Sequence, residues 1–326
     1  MRAFSPGVDV IGAIAYGVEN NFSDVDAHVA SPCLGQGAGA TAIEAWCGTH
    51  TLATGQNDAL RYRYNDDVLF GSIALDETAF AAVADRTPLQ NVAHHAYARI
   101  FALLDRLQFS ELWRIWNFIP RINAHEHGLE RYRQFNIERQ AAFVASGRSI
   151  AGNVPAASAV GTSGSDLVIY FLAGRHTPIA IENPRQISAY HYPAEYGPRS
   201  PIFSRASLID TDAQQLLFIS GTASIVGHRT LHAGDVSAQT RELLANIDCV
   251  LAESNRQTQR RQFARGDLAY KVYLRHAADF DAVKNQLEHW LGDSAPTLYV
   301  QADICRTELL VEIEASGGHG IEGVRD

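Results

Sequence analysis

Short runs of apolar residues alternate along the chain with longer segments in which apolar positions recur at helical spacing. Runs of about four to eight apolar residues between turn-forming residues are typical of strands, and a 3.6-residue period is typical of helices. These patterns predict strands over residues 10–16, 43–47, 61–64, 68–75, 112–119, 167–172, 187–192, 216–226, 268–275, 298–302 and 309–315. They predict helices over residues 77–107, 129–145, 236–253 and 280–291.

The order of these elements repeats. VLFGSIALD at 68–76, a helix and LWRIWNFIP at 112–120 are echoed by LLFISGTASIVG at 216–227, a helix and LAYKVYLRH at 268–276. A strand–helix–strand unit that occurs twice favours two related α+β domains, each a mixed sheet with helices on one face. The small-residue segment 146–159 marks the predicted boundary, which gives domains at 1–150 and 151–326.

The last predicted strand carries two carboxylates. Glu312 and Glu314 are two residues apart, so they share one face of the strand, while the other face is apolar. An ionised carboxylate is costly to bury. Either these side chains lie on a solvated face, or one is held as a neutral acid in a pocket, where it can donate a proton near neutral pH.

Composition and charge narrow the classes of function. The 326 residues carry a net charge of −9, which argues against a nucleic-acid-binding protein. No apolar run reaches the roughly 18 residues of a membrane span, and the N-terminus lacks a signal-peptide pattern. The four cysteines show no metal-type spacing. These features predict a cytoplasmic protein with free thiols.

Histidines occur in two groups, but neither has the spacing of a metal site. His94 and His95 are adjacent on a predicted helix and point apart, and His125 and His127 have no clear third ligand nearby. We therefore expect no metal. Phosphate-loop and dinucleotide-binding motifs are also absent from the sequence.

Three segments are candidates for ligand binding. Residues 182–205, ENPRQISAYHYPAEYGPRSPIFSR, contain four prolines, whose stiff backbone could present tyrosines and arginines to an anion; the alternative is a strand pair with a proline-rich turn. GTAS at 221–224 permits the close approach of a ligand or close sheet packing. Tyr132 and Arg133 lie near a predicted helix start, which suits an anion, or they belong to a solvated amphipathic helix.

Together the motifs resemble the chorismatase family. They are RIWNFIP, ERYRQFN, ENPRQISAYHYPAEYGPRSPIFSRA, SGTASIVGH and CRTELLVEIEA, in this order over about residues 112–315. The resemblance implies two fused RidA/YjgF-like domains, and VEIEA is also similar to the end of RidA proteins. It implies an enzyme that acts on chorismate and releases pyruvate. No cofactor is expected, because the reaction involves no net redox change.

The resemblance also implies roles for individual residues. Glu312 corresponds to a functional glutamate of RidA proteins, and we expect it to protonate the enol ether of chorismate. Arg306 is expected to bind a carboxylate, or else to pair with Glu308. A cysteine at position 305 is similar to the family branches that form 3-hydroxybenzoate, sometimes with 4-hydroxybenzoate. Cys305, Ala223 and Ser224 are expected to shape the pocket. Further expected binding residues are Arg199, Arg205, Tyr192, Arg133 and Tyr132.

Other functions stay open at this point. A hydrolytic chorismatase would give pyruvate and a dihydroxycyclohexadiene carboxylate. A RidA-like imine deaminase would share the VEIEA ending but not the doubled length. A non-enzymatic metabolite-binding protein would need the anion-binding residues but no proton donor. The sequence is compatible with a monomer and with a homotrimer.

Overall fold

The structure is a computed structural model and describes residues 9–19, 25–36, 39–48, 52–82, 86–258, 260–292 and 295–320. Within these ranges the α-helices are α1 (Pro88–Leu107), α2 (Arg131–Ala145), α3 (Val236–Gln257) and α4 (Phe280–Leu291). The strands are β1 (Asp9–Gly17), β2 (Ala27–Ala30), β3 (Ala42–Gly48), β4 (Ala53–Asn57), β5 (Leu60–Tyr64), β6 (Val68–Asp76), β7 (Glu111–Pro120), β8 (His125–Glu126), β9 (Leu129–Glu130), β10 (Ala156–Thr162), β11 (Asp166–Gly174), β12 (Ile179–Ile181), β13 (Ala206–Asp210), β14 (Gln215–Thr222), β15 (Ile225–Val226), β16 (Arg229–Thr230), β17 (Leu268–Leu274), β18 (Thr297–Gln301) and β19 (Val311–Gly317).

Two six-stranded sheets have the same topology. The first has the order β4-β5-β6-β11-β7-β10, and the second has the order β12-β13-β14-β19-β17-β18. In each, one pair at the edge is parallel, β7 with β10 and β17 with β18, and the central pairs are antiparallel. The predicted α+β class, with mixed sheets and a repeated strand–helix–strand unit, is confirmed. A smaller sheet, β2-β1-β3, lies beside them.

The two large sheets pack face to face, with helices on their outer faces. Helices α1 and α2 cover the first sheet, and α3 and α4 cover the second. Successive side chains of β19 point to opposite faces of the sheet. Val311 and Ile313 pack toward the helices, and the side chains between and after them face the first sheet. This inter-sheet layer is rich in aromatic residues, with Trp116, Phe118 and Tyr273 among them.

Local chemistry explains where predicted elements differ from the structure. The helix predicted from residue 77 begins at Pro88 instead, because Thr87 caps it through its side chain and proline suits the first helical turn. The strand predicted over 187–192 is wrong: Ala189–His191 is a single 3-10 turn, followed by Pro193, which cannot donate a ladder hydrogen bond. The strand predicted over 216–226 ends at Thr222, after an irregularity between Ile219 and Thr222.

Sheet membership bears on the division into domains. Strands β10 and β11, which follow residue 150, pair with β7 and β6 of the first sheet. Their small and apolar residues continue that sheet beyond the small-residue segment. We therefore propose a division between Gly174 and Ile179 in place of the one predicted after residue 150. None of the helices in the described ranges is both long and apolar enough to span a membrane.

Candidate active site

A partly enclosed cavity lies between the start of α2, the proline-rich segment and the start of β19. Most of its walls come from segments that the sequence singled out. Its lining residues are Glu130, Tyr132, Arg133, Gln186, Tyr192, Tyr196, Pro201, Phe203, Arg205, Gly221, Ala223, Ile225, Cys305, Arg306 and Glu312. A wider and more open depression runs along α1, but Arg99 within it already pairs with Asp58 and His95.

Glu312 reaches this cavity from the inter-sheet face of β19. Its side chain is almost fully buried, at 4% exposed, and it lies against Gly221, where an added Cβ would overlap the carboxylate. Burial, together with the charge of Glu314, raises the pKa of Glu312 to about 8, and Arg114 opposes the rise. Glu312 is therefore a neutral acid at neutral pH, which is the second of the two alternatives that the sequence allowed.

Glu314 lies on the same face of β19 but has the opposite protonation state. Its carboxylate accepts hydrogen bonds from five side chains: Arg114 (2.8 Å), Trp116 (2.6 Å), Ser158 (2.5 Å), Lys271 (3.0 Å) and Tyr273 (3.2 Å). Burial alone would raise the pKa of Glu314, but Lys271, Arg114 and these hydrogen bonds outweigh burial and lower it. Two carboxylates two residues apart thus differ in charge because cations are hydrogen-bonded to Glu314 and not to Glu312.

The sequence analysis did not identify Arg114 and Lys271. Both are buried and lie in largely apolar strands, β7 and β17. A lone cation in such a strand is a signal of its own, because it requires a buried counter-charge. Lys271 also donates a hydrogen bond to Glu44 at 2.9 Å, which ties β3 to the second sheet.

Two arginines line the cavity with unused donors. Arg306 donates through Nη1 to the His228 carbonyl oxygen and to Thr230, and its guanidinium lies 4.0 Å from the centre of the Tyr196 ring. Its Nη2 is buried and has no hydrogen-bond partner among the described residues. The predicted alternative was an ion pair between Arg306 and Glu308, and the described residues do not form it. Glu308 accepts a hydrogen bond from Thr230 instead.

Arg205 is held in a similar way. Its Nη2 donates to the Ile187 carbonyl oxygen and to the Tyr192 hydroxyl oxygen at 2.9 Å. Its Nε is buried without a hydrogen-bond partner within the described ranges. Side-chain contacts thus orient both guanidinium groups while leaving N–H donors free for a ligand, which is the arrangement that a carboxylate needs.

Cys305, Tyr132 and Arg133 complete the wall on the side of α2. Burial and the nearby Glu312 raise the pKa of Cys305 to about 12, so its thiol stays protonated. Burial also raises the pKa of Tyr132. Arg133 donates to Glu130 at 3.1 Å. Tyr132 and Arg133 both line the cavity, and their role in binding an anion stays a prediction.

Two of the predicted site residues lie elsewhere, and several lining residues were not predicted. Arg199 is exposed, and the buried Ser224 donates to the Leu231 carbonyl oxygen; neither lines the cavity. The unpredicted lining residues Gln186, Tyr196 and Phe203 all come from the segment 182–205, and its composition was the signal that pointed to them. Gln186 donates to the Ile225 carbonyl oxygen, Phe203 packs against the core of the first sheet, and the Tyr196 ring contacts the Arg306 guanidinium.

No group of three or more His, Cys, Asp or Glu side chains in the described ranges is arranged to hold a metal ion. The histidine segments in which we expected no metal make other contacts. Glu126, between the two histidines of the HEH segment, pairs with Arg131 at 2.8 Å. His94 lies 3.2 Å from Glu138.

Comparison with known proteins gives the family of this chain. The model described as "Chorismatase FkbO/Hyg5-like, N-terminal" matches residues 44–173, and the model "Endoribonuclease L-PSP" matches residues 203–317. A 3-hydroxybenzoate synthase of Streptomyces hygroscopicus is 32% identical over 94% of this chain and 91% of that protein. The chain belongs to the chorismatase family.

Further chorismatases support this assignment. One from Streptomyces rapamycinicus is 37% identical over 83% of this chain and 80% of that protein. The crystal structure of a chorismatase superposes with a TM-score of 0.84 at 31% identity and covers 94% of this chain and 92% of that one. The family resemblance inferred from the motifs is confirmed, and the chorismatase fold extends over the first hundred residues as well.

Proposed function

We propose that this chorismatase converts chorismate to 3-hydroxybenzoate and pyruvate, with Glu312 as the proton donor. The observation that carries the proposal is the pair of carboxylates on β19. Glu312 is buried, faces the cavity and keeps its proton, because the cations beside it are bound to Glu314. A neutral carboxylic acid in a cavity with free guanidinium donors suits a dianionic substrate that must be protonated on carbon.

The reaction begins with transfer of the Glu312 proton to the terminal carbon of the enolpyruvyl group. The C=C electron pair forms the new C–H bond, and the ether carbon becomes an oxocarbenium centre. The neighbouring ring hydroxyl oxygen then attacks the ring carbon that carries the ether. The bond from that carbon to the ether oxygen breaks, and pyruvate leaves. The epoxide-like ring opens and loses a proton, which balances the one that Glu312 supplied, so neither water nor a redox partner is consumed.

The charged walls of the cavity fit the two carboxylates of chorismate. Arg306 and Arg205 each offer a buried, unused N–H donor, and a charge-assisted hydrogen bond contributes about 1.5–3 kcal/mol. Glu312 itself adds no negative charge while it is protonated. The neutral acid therefore avoids repulsion of the dianion as well as supplying the proton.

Replacing Arg306 by methionine is expected to raise KM for chorismate by about tenfold to a hundredfold, because the stem is kept and the donor is lost. Arg306→Lys should recover part of the loss, since lysine keeps the charge but not the planar fork. Arg256→Met is the matched control, because this arginine is 70% exposed on α3 and far along the chain from the cavity segments. An unchanged KM in Arg306→Met would remove Arg306 from substrate binding.

Two observations support the aromatising branch. The relative that this chain matches over 94% of its length is a 3-hydroxybenzoate synthase. Cys305 lines the cavity beside Glu312 as a protonated thiol, so it can shape the wall near the ring without acting as a nucleophile.

The decisive test is incubation of the purified protein with chorismate, followed by chromatography and mass detection of the products. We expect pyruvate and 3-hydroxybenzoate in equal amounts. Additional 4-hydroxybenzoate would indicate a dual-product enzyme. Pyruvate with a non-aromatic diol would assign the protein to hydrolysis and overturn the proposed product, and no pyruvate at all would overturn the activity.

A further inference from the structure

We propose that Glu314 is a positioning residue for the reaction, in that its fixed negative charge keeps the neighbouring Glu312 in the neutral, proton-donating form. This inference rests on the proposed function, because it takes Glu312 as the donor. It assigns a role in the chemistry to a residue that lines no part of the cavity.

The hydrogen bonds of the two carboxylates are opposite in character. Glu314 is 5% exposed and accepts hydrogen bonds from five side chains, two of which are the cations Arg114 and Lys271. No donor among the described residues makes a hydrogen bond to the Glu312 carboxyl group. The cations of this layer are thus bound to one carboxylate of the pair.

The geometry prevents the cations from serving both carboxylates. Arg114 Nη2 is shared between Glu314 (2.8 Å) and Ser158 (2.6 Å), and Lys271 is bound by Glu314, Glu44 and the Tyr170 hydroxyl. Since like charges two residues apart on one strand face repel each other in a low-dielectric interior, only one carboxylate ionises readily. The donors select Glu314, so the proton stays on Glu312.

Several charged or titratable groups surround the pair. The groups that face Glu312 are Glu314 on its own strand, Arg114 on β7, Tyr273 on β17, Tyr132 on α2 and Cys305 before β19. The groups that face Glu314 are Arg114, Lys271, Tyr273, Tyr170 on β11, Glu44 on β3 and Tyr16 on β1. Arg306, Arg205, Arg133 and Glu130 also line the cavity that Glu312 faces, but the charges that act on Glu312 are those of Glu314 and Arg114. Glu314 is therefore the nearby negative charge that favours the acid.

A purely structural role is the competing explanation, because a buried ion pair between two sheets can simply hold the sheets together. The two roles differ in one measurable quantity. Loss of a structural contact lowers activity by the same factor at every pH. Loss of a neighbouring negative charge moves the pH at which the acid ionises.

The test is the pH profile of kcat/KM for Glu314→Gln. The wild-type profile should fall above about pH 8, where free Glu312 loses its proton. In Glu314→Gln this fall should begin at least about one pH unit lower, with at least about a fivefold loss at pH 8 and a much smaller loss near pH 6. A profile that keeps its alkaline fall near pH 8 and is lower throughout would overturn the inference.

A matched control and a second variant keep the result interpretable. Glu44→Gln removes another carboxylate that binds Lys271 but does not lie beside Glu312, so its alkaline fall should stay near that of the wild type. If Glu314→Gln does not fold, because it leaves Lys271 and Arg114 unpaired, Lys271→Met/Glu314→Gln removes a cation together with the carboxylate. The same downward shift is expected in the double variant, and its absence there would also contradict the role.

A direct titration separates this inference from the proposed function. Protein with 13C-labelled glutamate carboxyl groups is titrated by NMR, and the signal lost in Glu312→Gln assigns Glu312. Its midpoint should be lower in Glu314→Gln than in the wild type, whether or not Glu312 is the catalytic acid. Full turnover in Glu312→Gln would overturn Glu312 as the proton donor while leaving the measured effect of Glu314 on Glu312 in place, whereas an unmoved midpoint would overturn the role of Glu314 alone.

Discussion

Glu312→Gln is expected to lower kcat for chorismate by about a hundredfold to ten-thousandfold, the range that a positioned general acid contributes. Glutamine keeps the size and the hydrogen-bonding capacity of the neutral acid, but its amide cannot donate a proton to carbon. The side chain at position 312 is buried, and it is uncharged both as the protonated glutamate and as the glutamine. The fold should therefore be preserved. Pyruvate release measured over time gives kcat, and near-ultraviolet circular dichroism verifies the fold.

The control for this substitution is Glu288→Gln on α4, an exposed glutamate whose partner is Lys284. It should retain wild-type turnover. Near-wild-type kcat in Glu312→Gln would remove Glu312 as the acid and would require a different proton donor.

Gly221→Ala is expected to lower kcat by about a hundredfold, because misplacing a catalytic group by roughly 1 Å has an effect of this size. The added Cβ would overlap the Glu312 Oε1 atom and would lie 2.7 Å from its Cδ and 3.0 Å from Ser158 Oγ. The acid must then move, and Ser158, which binds Glu314, limits the space on the other side. Steady-state kinetics should show the loss mainly in kcat.

The matched control is Gly266→Ala. An added Cβ at Gly266 meets no atom within 4 Å, and its backbone conformation suits an L residue. Unchanged turnover in Gly221→Ala, together with a native fold, would mean that the position of the Glu312 carboxyl group is not critical.

Much of the fold could be predicted because its signals are local. The runs of β6, β7, β14 and β17 and the period of α4 are visible in the sequence, and so is their repetition. Strand β10 was not predicted, since AASAVGT consists mostly of small residues, with Val160 and Thr162 as its β-branched residues and no aromatic residue. Its place in the sheet depends on a parallel partner, β7, that lies far away in the chain.

The candidate site was predictable where a motif carries it and not where the site depends on packing between sheets. The carboxylate pair on β19, the thiol and the nearby arginine are adjacent in sequence. Arg114 reaches Glu314 across 200 positions of the chain, so no local pattern announces that contact. Likewise, the sequence allowed one of the two carboxylates to be neutral, but only the placement of Arg114 and Lys271 determines which one.

The buried acid also affects the thermodynamics of folding. Glu312 changes its pKa from 4.5 to about 8 when the chain folds, so between these values the native state holds a proton that the unfolded chain has released. The free energy of unfolding therefore falls as pH rises through this window, by up to about 1.4 kcal/mol per pH unit from this group. Glu314 has the opposite sign, because its lowered pKa gives stability that is lost as pH falls through the folded value. Keeping Glu312 protonated in the folded protein therefore makes the free energy of unfolding decrease as the pH rises through the neutral range.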